Sequence, residues 1–372
     1  METLDVIVHT ISLASATSHT YELRAATGGA LPSFEAGAHI DVHLGPSLIR
    51  PYSLCNSPQE TGRYLICVRR DEAGRGGSRT LHRDLTVGRR LRVSRPRNHF
   101  PLVAAERHVL VAGGIGITPL LSMAEALAAR GASFVLHHYT SSPADAPLLE
   151  RLGTSAFTEQ AVVHHSDQGD TIRTGLPAEL LAPDPDTAVY VCGPDGFMTH
   201  VMAETAAAGW QPGQIHTERF APAAPTATTE EAGTEFTVRI ASTGIGYPVP
   251  ADRTIADVLT AHGVEVELSC EQGICGACLT PVLAGEPDHR DEVQTPDERA
   301  AGDLITICCS RARTPELLLG LRPGASTPVR RPIGDRPGTV QASPHPCSSC
   351  PSRAGAHPAS ERKARHEQKY EQ

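Results

Sequence analysis

Ten cysteines lie in this 372-residue chain, and four of them have a spacing that does chemistry. Cys270, Cys275 and Cys278 are separated by four and then two residues, and Cys308 follows after twenty-nine more. Thiolates in the pattern C-x4-C-x2-C…C suit a [2Fe–2S] cluster, two to each iron. Gly273, Gly276 and Ala277 keep the loop almost free of side chains. Backbone N–H groups can then approach the sulfurs and offset their negative charge. Two other readings use the same residues. Buried free thiols are common in cores. Four thiolates also suit zinc, although zinc ribbons pair two short C-x2-C knuckles and this loop has one.

Four further segments have residue types that could hold a flavin and a nicotinamide coenzyme. Arg50-Pro51-Tyr52-Ser53-Leu54 puts a cation, an aromatic ring, a hydroxyl and an apolar side chain on one strand. Those are the groups a flavin needs for its phosphate, its ring and its redox-active nitrogen. Gly74-Arg75-Gly76-Gly77-Ser78-Arg79-Thr80 then offers exposed N–H groups and hydroxyls at a helix start, a suitable nest for phosphate. Gly113-Gly114-Ile115-Gly116-Ile117-Thr118-Pro119 joins an apolar strand to a helix, and Cys192-Gly193-Pro194-Asp195-Gly196-Phe197-Met198 does the same farther on. Glycines there let backbone approach a pyrophosphate, whose charge the helix N-terminus favours. The spacing is not the G-x-G-x-x-G of the Rossmann fingerprint. Taken singly, these segments also read as a surface strand, a flexible loop and ligand-free strand–helix turns.

The elements that must position these groups fall into three blocks. DVIVHTISLA, TYELRAA, HIDVHL, RYLICVRR and RRLRVSR alternate or are β-branched, with Gly and Pro between them, which implies a small antiparallel barrel over residues 1–104. Over 105–221, the strands HVLVAGG, SFVLHHY and TAVYVCG alternate with the helices PLLSMAEALAAR and DGFMTHVMAETAAA, the pattern of a parallel sheet. Thr118 is expected as the N-cap of the first of these helices, Pro119 at its first position and Gly131 at its stop. Residues 222–233, PAAPTATTEEAG, read as a linker and 234–323 as a third domain. Residues 324–372 are rich in Pro, Arg and Ser and read as a disordered tail, with Cys347 and Cys350 near His345 and His357 as a weak zinc-knuckle pattern.

With 33 Lys and Arg against 42 Asp and Glu, the net charge is −9, which argues against a nucleic-acid or anionic-membrane surface. No apolar run is long enough to span a membrane. The first residues, METLDVIVHT, lack a basic flank and a long apolar core, so a cytoplasmic location is expected. The third domain holds fourteen acidic and seven basic residues, net −7. Glu271, Asp288, Asp291 and Glu292 are therefore candidates to steer a basic protein partner.

RPYSL, GGIGITPLLSM, CGPDGFM, and CEQGICGACL with CCSRA occur in this order. Together they resemble the phthalate dioxygenase reductase family of the ferredoxin–NADP reductase superfamily, over roughly residues 1–322. The resemblance implies a multidomain fold: an antiparallel β-barrel flavin domain, an α/β parallel-sheet nucleotide domain and an α+β, β-grasp ferredoxin domain. It implies FMN as the flavin, held by Arg50, Tyr52, Ser53 and Leu54, with Gly76, Gly77 and Ser78 at its phosphate. Gly113, Gly114, Gly116, Pro119, Gly193 and Asp195 would hold the coenzyme. Thr118 and Cys192 would border the nicotinamide, Phe220 would lie near the flavin, and Ser53 and Cys192 would be the catalytic pair. Cys270, Cys275, Cys278 and Cys308 would be the cluster ligands, leaving Cys309 a packed neighbour. A hydride moves two electrons and an iron–sulfur acceptor takes one, so a bound flavin supplies the conversion between them. The absence of Arg and Lys from Thr140 to Asp145 favours NADH over NADPH. The expected partner is the terminal oxygenase of a Rieske non-haem iron system acting on aromatic ring hydroxylation or O-demethylation, and the chain is expected to be a monomer. A haem monooxygenase as partner, or an electron carrier without NADH oxidation, are the alternatives.

Overall fold

The computed structural model describes residues 3–45, 48–221 and 234–321. The expected linker, the tail and its C-x-x-C pattern lie outside the described residues.

The first sheet has six antiparallel strands: β1 (Thr3–Ser15), β2 (Ser18–Ala25), β3 (His39–His43), β4 (Ile49–Ser53), β5 (Tyr64–Arg69) and β6 (Arg90–Ser94). Their order is β4-β3-β6-β1-β2-β5. A bridge between Leu54 and Ile66 and the Cys55 N–H donating to Leu65 O (2.9 Å) join the two edge strands, so the sheet closes as the barrel expected. The alternation that marks the strands sends Val6, Val8, Tyr21, Leu23, Ile40 and Ile66 into one core. Helix α1 (Gly77–Asp84) plugs this core with Leu81 and presents its first turn beside β4.

The second sheet is wholly parallel: β7 (Arg107–Gly113), β8 (Ser133–Thr140), β9 (Ala161–His165), β10 (Thr187–Cys192) and β11 (Ile215–Glu218). Its order is β11-β10-β7-β8-β9. The chain winds outward through β8 and β9 and then returns to the other side of β7. The strand order therefore reverses between β7 and β10, where open α/β sheets bind ligands. Both faces are covered. Leu110 and Ala112 pack on α2 (Ile117–Ala129), and Val109 and Val111 pack with Met198 and Val201 of α4 (Asp195–Ala208). Burial on both faces explains why β7 reads as an unbroken apolar run. The short α3 (Leu149–Gly153) lies at the periphery. Barrel residues Cys55, Leu65, Cys67 and Phe100 belong to the same core as α2, which joins barrel and sheet through apolar contact.

Helix α2 begins two residues earlier than expected. A 3-10 turn over Gly114–Gly116 leads directly into Ile117, so Gly116 is the N-cap and Thr118 lies inside the first turn. The Thr118 hydroxyl donates to Ile115 O (3.1 Å) instead of capping the helix. Pro119 is tolerated there because first-turn N–H groups lack helical partners anyway.

The third unit has β12 (Phe236–Ile240), β13 (Gly246–Val249), α5 (Ile255–Ala261), β14 (Leu279–Ala284), β15 (Pro287–Asp288), α6 (Pro296–Ala301), β16 (Leu304–Thr306), β17 (Arg311–Ala312) and β18 (Glu316–Leu319). The main sheet runs β13-β12-β18-β14-β16, with β12 and β18 parallel and the other pairs antiparallel. Helix α5, started by a Thr254–Asp257 capping box, lays Ile255, Val258 and Leu259 on this sheet. The cysteine loop leaves from between α5 and β14.

Candidate functional site: a cavity shared by three sheets

Neighbouring β7 and β10 deliver the two glycine turns side by side. Their register sets Cys192 opposite Ala112. A Cβ at Gly116 would lie 2.7 Å from Gly193 N and closer still to the Cys192 carbonyl, and one at Gly113 would meet the Phe197 ring at 2.9 Å. The turns are thus packed backbone on backbone. Gly193 belongs to the same contact, and Gly114, Pro119 and Asp195 lie in the adjoining first turns. Next to Cys192 in the parallel register is Glu218 at the end of β11.

In front of these strand ends is a cavity of about 450 Å³, within the range of small-molecule sites. The barrel contributes Arg50, Tyr52, Ser53, Arg75, Gly77 and Ser78. The nucleotide sheet contributes Thr118, Glu218, Arg219 and Phe220, and the third unit contributes Cys270, Gln272, Ile274 and Cys275. Phe220 is 40% exposed and offers the apolar surface that a flat ring would cover. At the other end, Arg50 donates to Ile49 O (2.7 Å) and to Arg75 O (3.2 Å), tying the glycine turn to β4 beside the start of α1. Gly76 has φ 88°, and a Cβ at Gly77 would meet Arg50 Cγ at 2.5 Å. The free N–H groups of α1, the Ser78 hydroxyl and the guanidiniums together fit a phosphate.

Ser53 Oγ donates to Glu218 Oε2 at 3.2 Å in the middle of the cavity. Burial pushes the Glu218 carboxyl up to about 8, with the Ser53 hydrogen bond pulling the other way. Burial likewise pushes the Cys192 thiol well up. Among the expected contact residues, Gly76, Gly113, Gly114, Gly116, Pro119, Gly193 and Asp195 do not line this cavity, and Cys192 and Leu54 are withdrawn from it altogether. Cys192 is 0% exposed behind the turns, and Leu54 is 0% exposed in the barrel core at the closing bridge. Leu54 is withdrawn because it serves the strand pairing that closes the barrel. Its neighbours Tyr52 and Ser53 remain on the wall.

Cys270, Cys275, Cys278 and Cys308 are all buried. The Cys270 sulfur is within hydrogen-bonding reach of the Cys275 and Cys308 thiols, and that of Cys308 within reach of Cys278 and Cys309. The sulfurs therefore meet as a group. Backbone N–H groups also point at them, from Cys270 to Cys275 Sγ (3.4 Å) and from Gln272 to Cys270 Sγ (3.3 Å). This donor set fits a [2Fe–2S] cluster. Among the described residues no three His, Cys, Asp or Glu side chains form a group that could hold a metal ion. Two irons need two thiolates each, a different arrangement. Cys309 also reaches the Cys308 sulfur, and its own sulfur lies 3.3 Å from Thr306 Oγ1 and against Gly273.

Side chains absent from the sequence reading fasten the cysteine loop to the rest of the molecule. Arg75, in the phosphate turn, donates to Cys270 O and pairs with Glu271 (3.5 Å). Buried Asp41 of β3 accepts from Ser269 and pairs with Arg97. Arg219 pairs with both Asp195 and Glu292, the latter at 3.0 Å. These contacts bear on the expected docking carboxylates, of which burial removes Asp291. Glu271 and Glu292 are engaged within the chain, and Asp288 pairs with Arg290 (2.9 Å). Asp291 is 2% exposed and accepts from Gln294 N–H (2.9 Å) and Thr306 (3.1 Å). His39, which burial pushes down to about 3, also faces the cavity.

Comparison with known proteins bears on the same parts. Residues 238–313 match the model of the 2Fe-2S iron-sulfur cluster binding domain, and residues 110–203 match that of the oxidoreductase NAD-binding domain. A hydride donor bound by one and a one-electron acceptor held by the other make this chain an NAD(H)-dependent flavin and iron–sulfur oxidoreductase. It is 49% identical over 304 residues to a vanillate O-demethylase oxidoreductase of Pseudomonas putida, covering 81% of this chain and 95% of that one. The chain belongs to the phthalate dioxygenase reductase family, the ferredoxin reductases of the vanillate demethylase oxidoreductase type. The solved phthalate dioxygenase reductase, described as a modular structure for electron transfer from pyridine nucleotides to [2Fe–2S], superposes with TM-score 0.63 at 40% identity, over 86% of this chain and 98% of that one. An intact type IV self-sufficient cytochrome P450 monooxygenase gives TM-score 0.76 at 38% identity, over 86% of this chain and 41% of that one. Electrons thus pass from NAD(H) through flavin to the cluster.

Proposed function

We propose that this protein takes electrons from NADH and, with FMN as its flavin, delivers them singly to the terminal oxygenase of a Rieske non-haem iron system for aromatic ring hydroxylation or O-demethylation. The observation that supports this reading is the shared cavity: the strand with Tyr52 and Ser53, the nucleotide-domain residues Thr118 and Phe220, and the loop with Cys270 and Cys275 line one space. In this reading residues 1–104 bind FMN, 105–221 bind NADH and 234–323 hold the cluster. Arg50, Gly76, Gly77 and Ser78 take the flavin phosphate, and Ser53 orients the flavin. Gly113, Gly114, Gly116, Pro119, Gly193 and Asp195 shape the coenzyme site, and Cys192 supports the nicotinamide position from behind. Cys270, Cys275, Cys278 and Cys308 are the four ligands. Eight free cysteines among the described residues suit the reducing cytoplasm, and the protein acts there as a monomer.

The test is anaerobic stopped-flow. NADH should bleach the flavin and then raise the EPR signal of the reduced cluster, and a Rieske-type oxygenase should reoxidise both. NADPH reducing the flavin as fast as NADH would overturn the coenzyme assignment. The similarity to the P450 favours a second reading, in which the acceptor is a haem monooxygenase. Faster cluster reoxidation by a haem acceptor than by a Rieske acceptor would select it.

A further inference from the structure

One buried polar group on the cavity wall has no partner. His39 is 4% exposed and lines the cavity together with Cys270 and Cys275, yet its Nε2 makes no hydrogen bond among the described residues. Its position is fixed by its backbone. Its N–H donates to Arg97 O (2.8 Å), its carbonyl accepts from Arg97 N–H (3.0 Å), and it is in register with Ser53. Its ring lies 5.6 Å from that of His99, and the His99 ring is what a Cβ at Gly276 would meet at 3.1 Å. The two imidazoles therefore form the barrel wall behind the cysteine loop. Native structures rarely leave a buried nitrogen unpaired, and the unexplained ones point to a missing group. Two groups belong in this cavity by the reading above, on which this inference rests. The cluster is the one whose ligands adjoin both imidazoles.

We propose that His39 donates the Nε2–H to a sulfur of the [2Fe–2S] cluster on its Cys270–Cys275 side and thereby draws electrons from the flavin toward the cluster. A hydrogen bond to sulfur stabilises the negative charge added on reduction, and such bonds are among the factors that set cluster potentials. His39 is thus a tuning residue contributed by the flavin barrel, not by the ferredoxin domain whose cysteines hold the irons.

The experiment titrates the loaded protein anaerobically, following the flavin by absorbance and the cluster by EPR. His39→Phe removes the donor and His39→Gln retains an N–H. In the Phe variant the electron distribution should shift about tenfold toward the flavin, which is 59 mV for one electron, with the flavin potential unmoved. The Gln variant should shift less than about threefold, 28 mV on the same scale. Iron and sulfide content is measured for each variant, so that loss of the cluster is not mistaken for a change in potential. Pulsed EPR of the unsubstituted reduced protein with 15N-histidine gives a second readout, expected to show a coupled imidazole nitrogen that disappears in the variants. An unchanged cluster potential at full iron content overturns the proposal, as does a shift of the flavin potential alone or the absence of any 15N coupling. If the unsubstituted protein takes up no flavin or no cluster, the functional reading itself fails and the His39 assignment with it.

Discussion

The molecule has two glycine turns that look alike in sequence and are built for different reasons. In the nucleotide sheet, Gly116 and Gly113 are closed in by the backbone and side chains of the neighbouring turn, so there is no room for a Cβ. In the barrel, nothing lies within 4 Å of a Cβ at Gly76, and its need for glycine is the φ of 88°. Gly77 is intermediate, since its obstacle is the flexible stem of Arg50. One turn is glycine-rich to let two strands' ends touch; the other is glycine-rich to bend sharply and leave space for a ligand. The difference shows that a glycine motif marks close approach without saying what approaches.

Single substitutions can break this contrast. Gly116→Ala should have the largest effect, because the Cys192 carbonyl is main chain in a paired strand and cannot step aside. About 3 kcal/mol of stability should be lost, the upper end for overpacking, measured by urea unfolding. Gly77→Ala should change stability by less than about 1 kcal/mol but weaken flavin binding about tenfold, read by fluorescence titration of the flavin-free protein, because Arg50 must move. If the two variants lose equal stability, the contrast fails. Gly76→Ala should cost about 1 kcal/mol through the left-handed backbone alone, and Gly76→Asn less. A separate effect concerns protons. A carboxyl whose folded value is raised binds its proton more tightly folded than unfolded, so stability falls as pH rises from the ordinary carboxylate range to about 8. Glu218→Gln should flatten the unfolding free energy of the flavin-free protein across that window. An unchanged slope would remove Glu218 as its source.

Sequence alone revealed the parts whose logic is local. The four cysteines could be found because cluster chemistry fixes their spacing, and the barrel strands because alternation with one buried face repeats every second residue. In the nucleotide sheet two strands escaped notice. AVVHH and IHTE are short, and the latter is mostly polar, so neither has the apolar run that marked β7. The side chains that bring the cavity together were hidden for another reason: Asp41 and Ser269 are 228 residues apart, and Arg75 and Cys270 are 195 apart. Glu218 and Arg219 precede Phe220 in a segment whose aromatic residue drew attention, yet their contacts become visible only once β10 and β11 are paired. Asp291 drops out of the candidate docking face for a similar reason, since net charge does not tell which carboxylates are buried inside the chain.

Arg75, Asp41 and Arg219 all reach across to the cysteine loop or its flank from outside the ferredoxin sheet. For recombination, whether natural or in the laboratory, this means that the exchangeable piece is larger than the domain. A ferredoxin domain transplanted from a relative at its sequence boundary would arrive without the arginines and aspartate that seat it. A chimera that carries those three side chains along with the transplant should couple its two redox groups better than one cut at the linker.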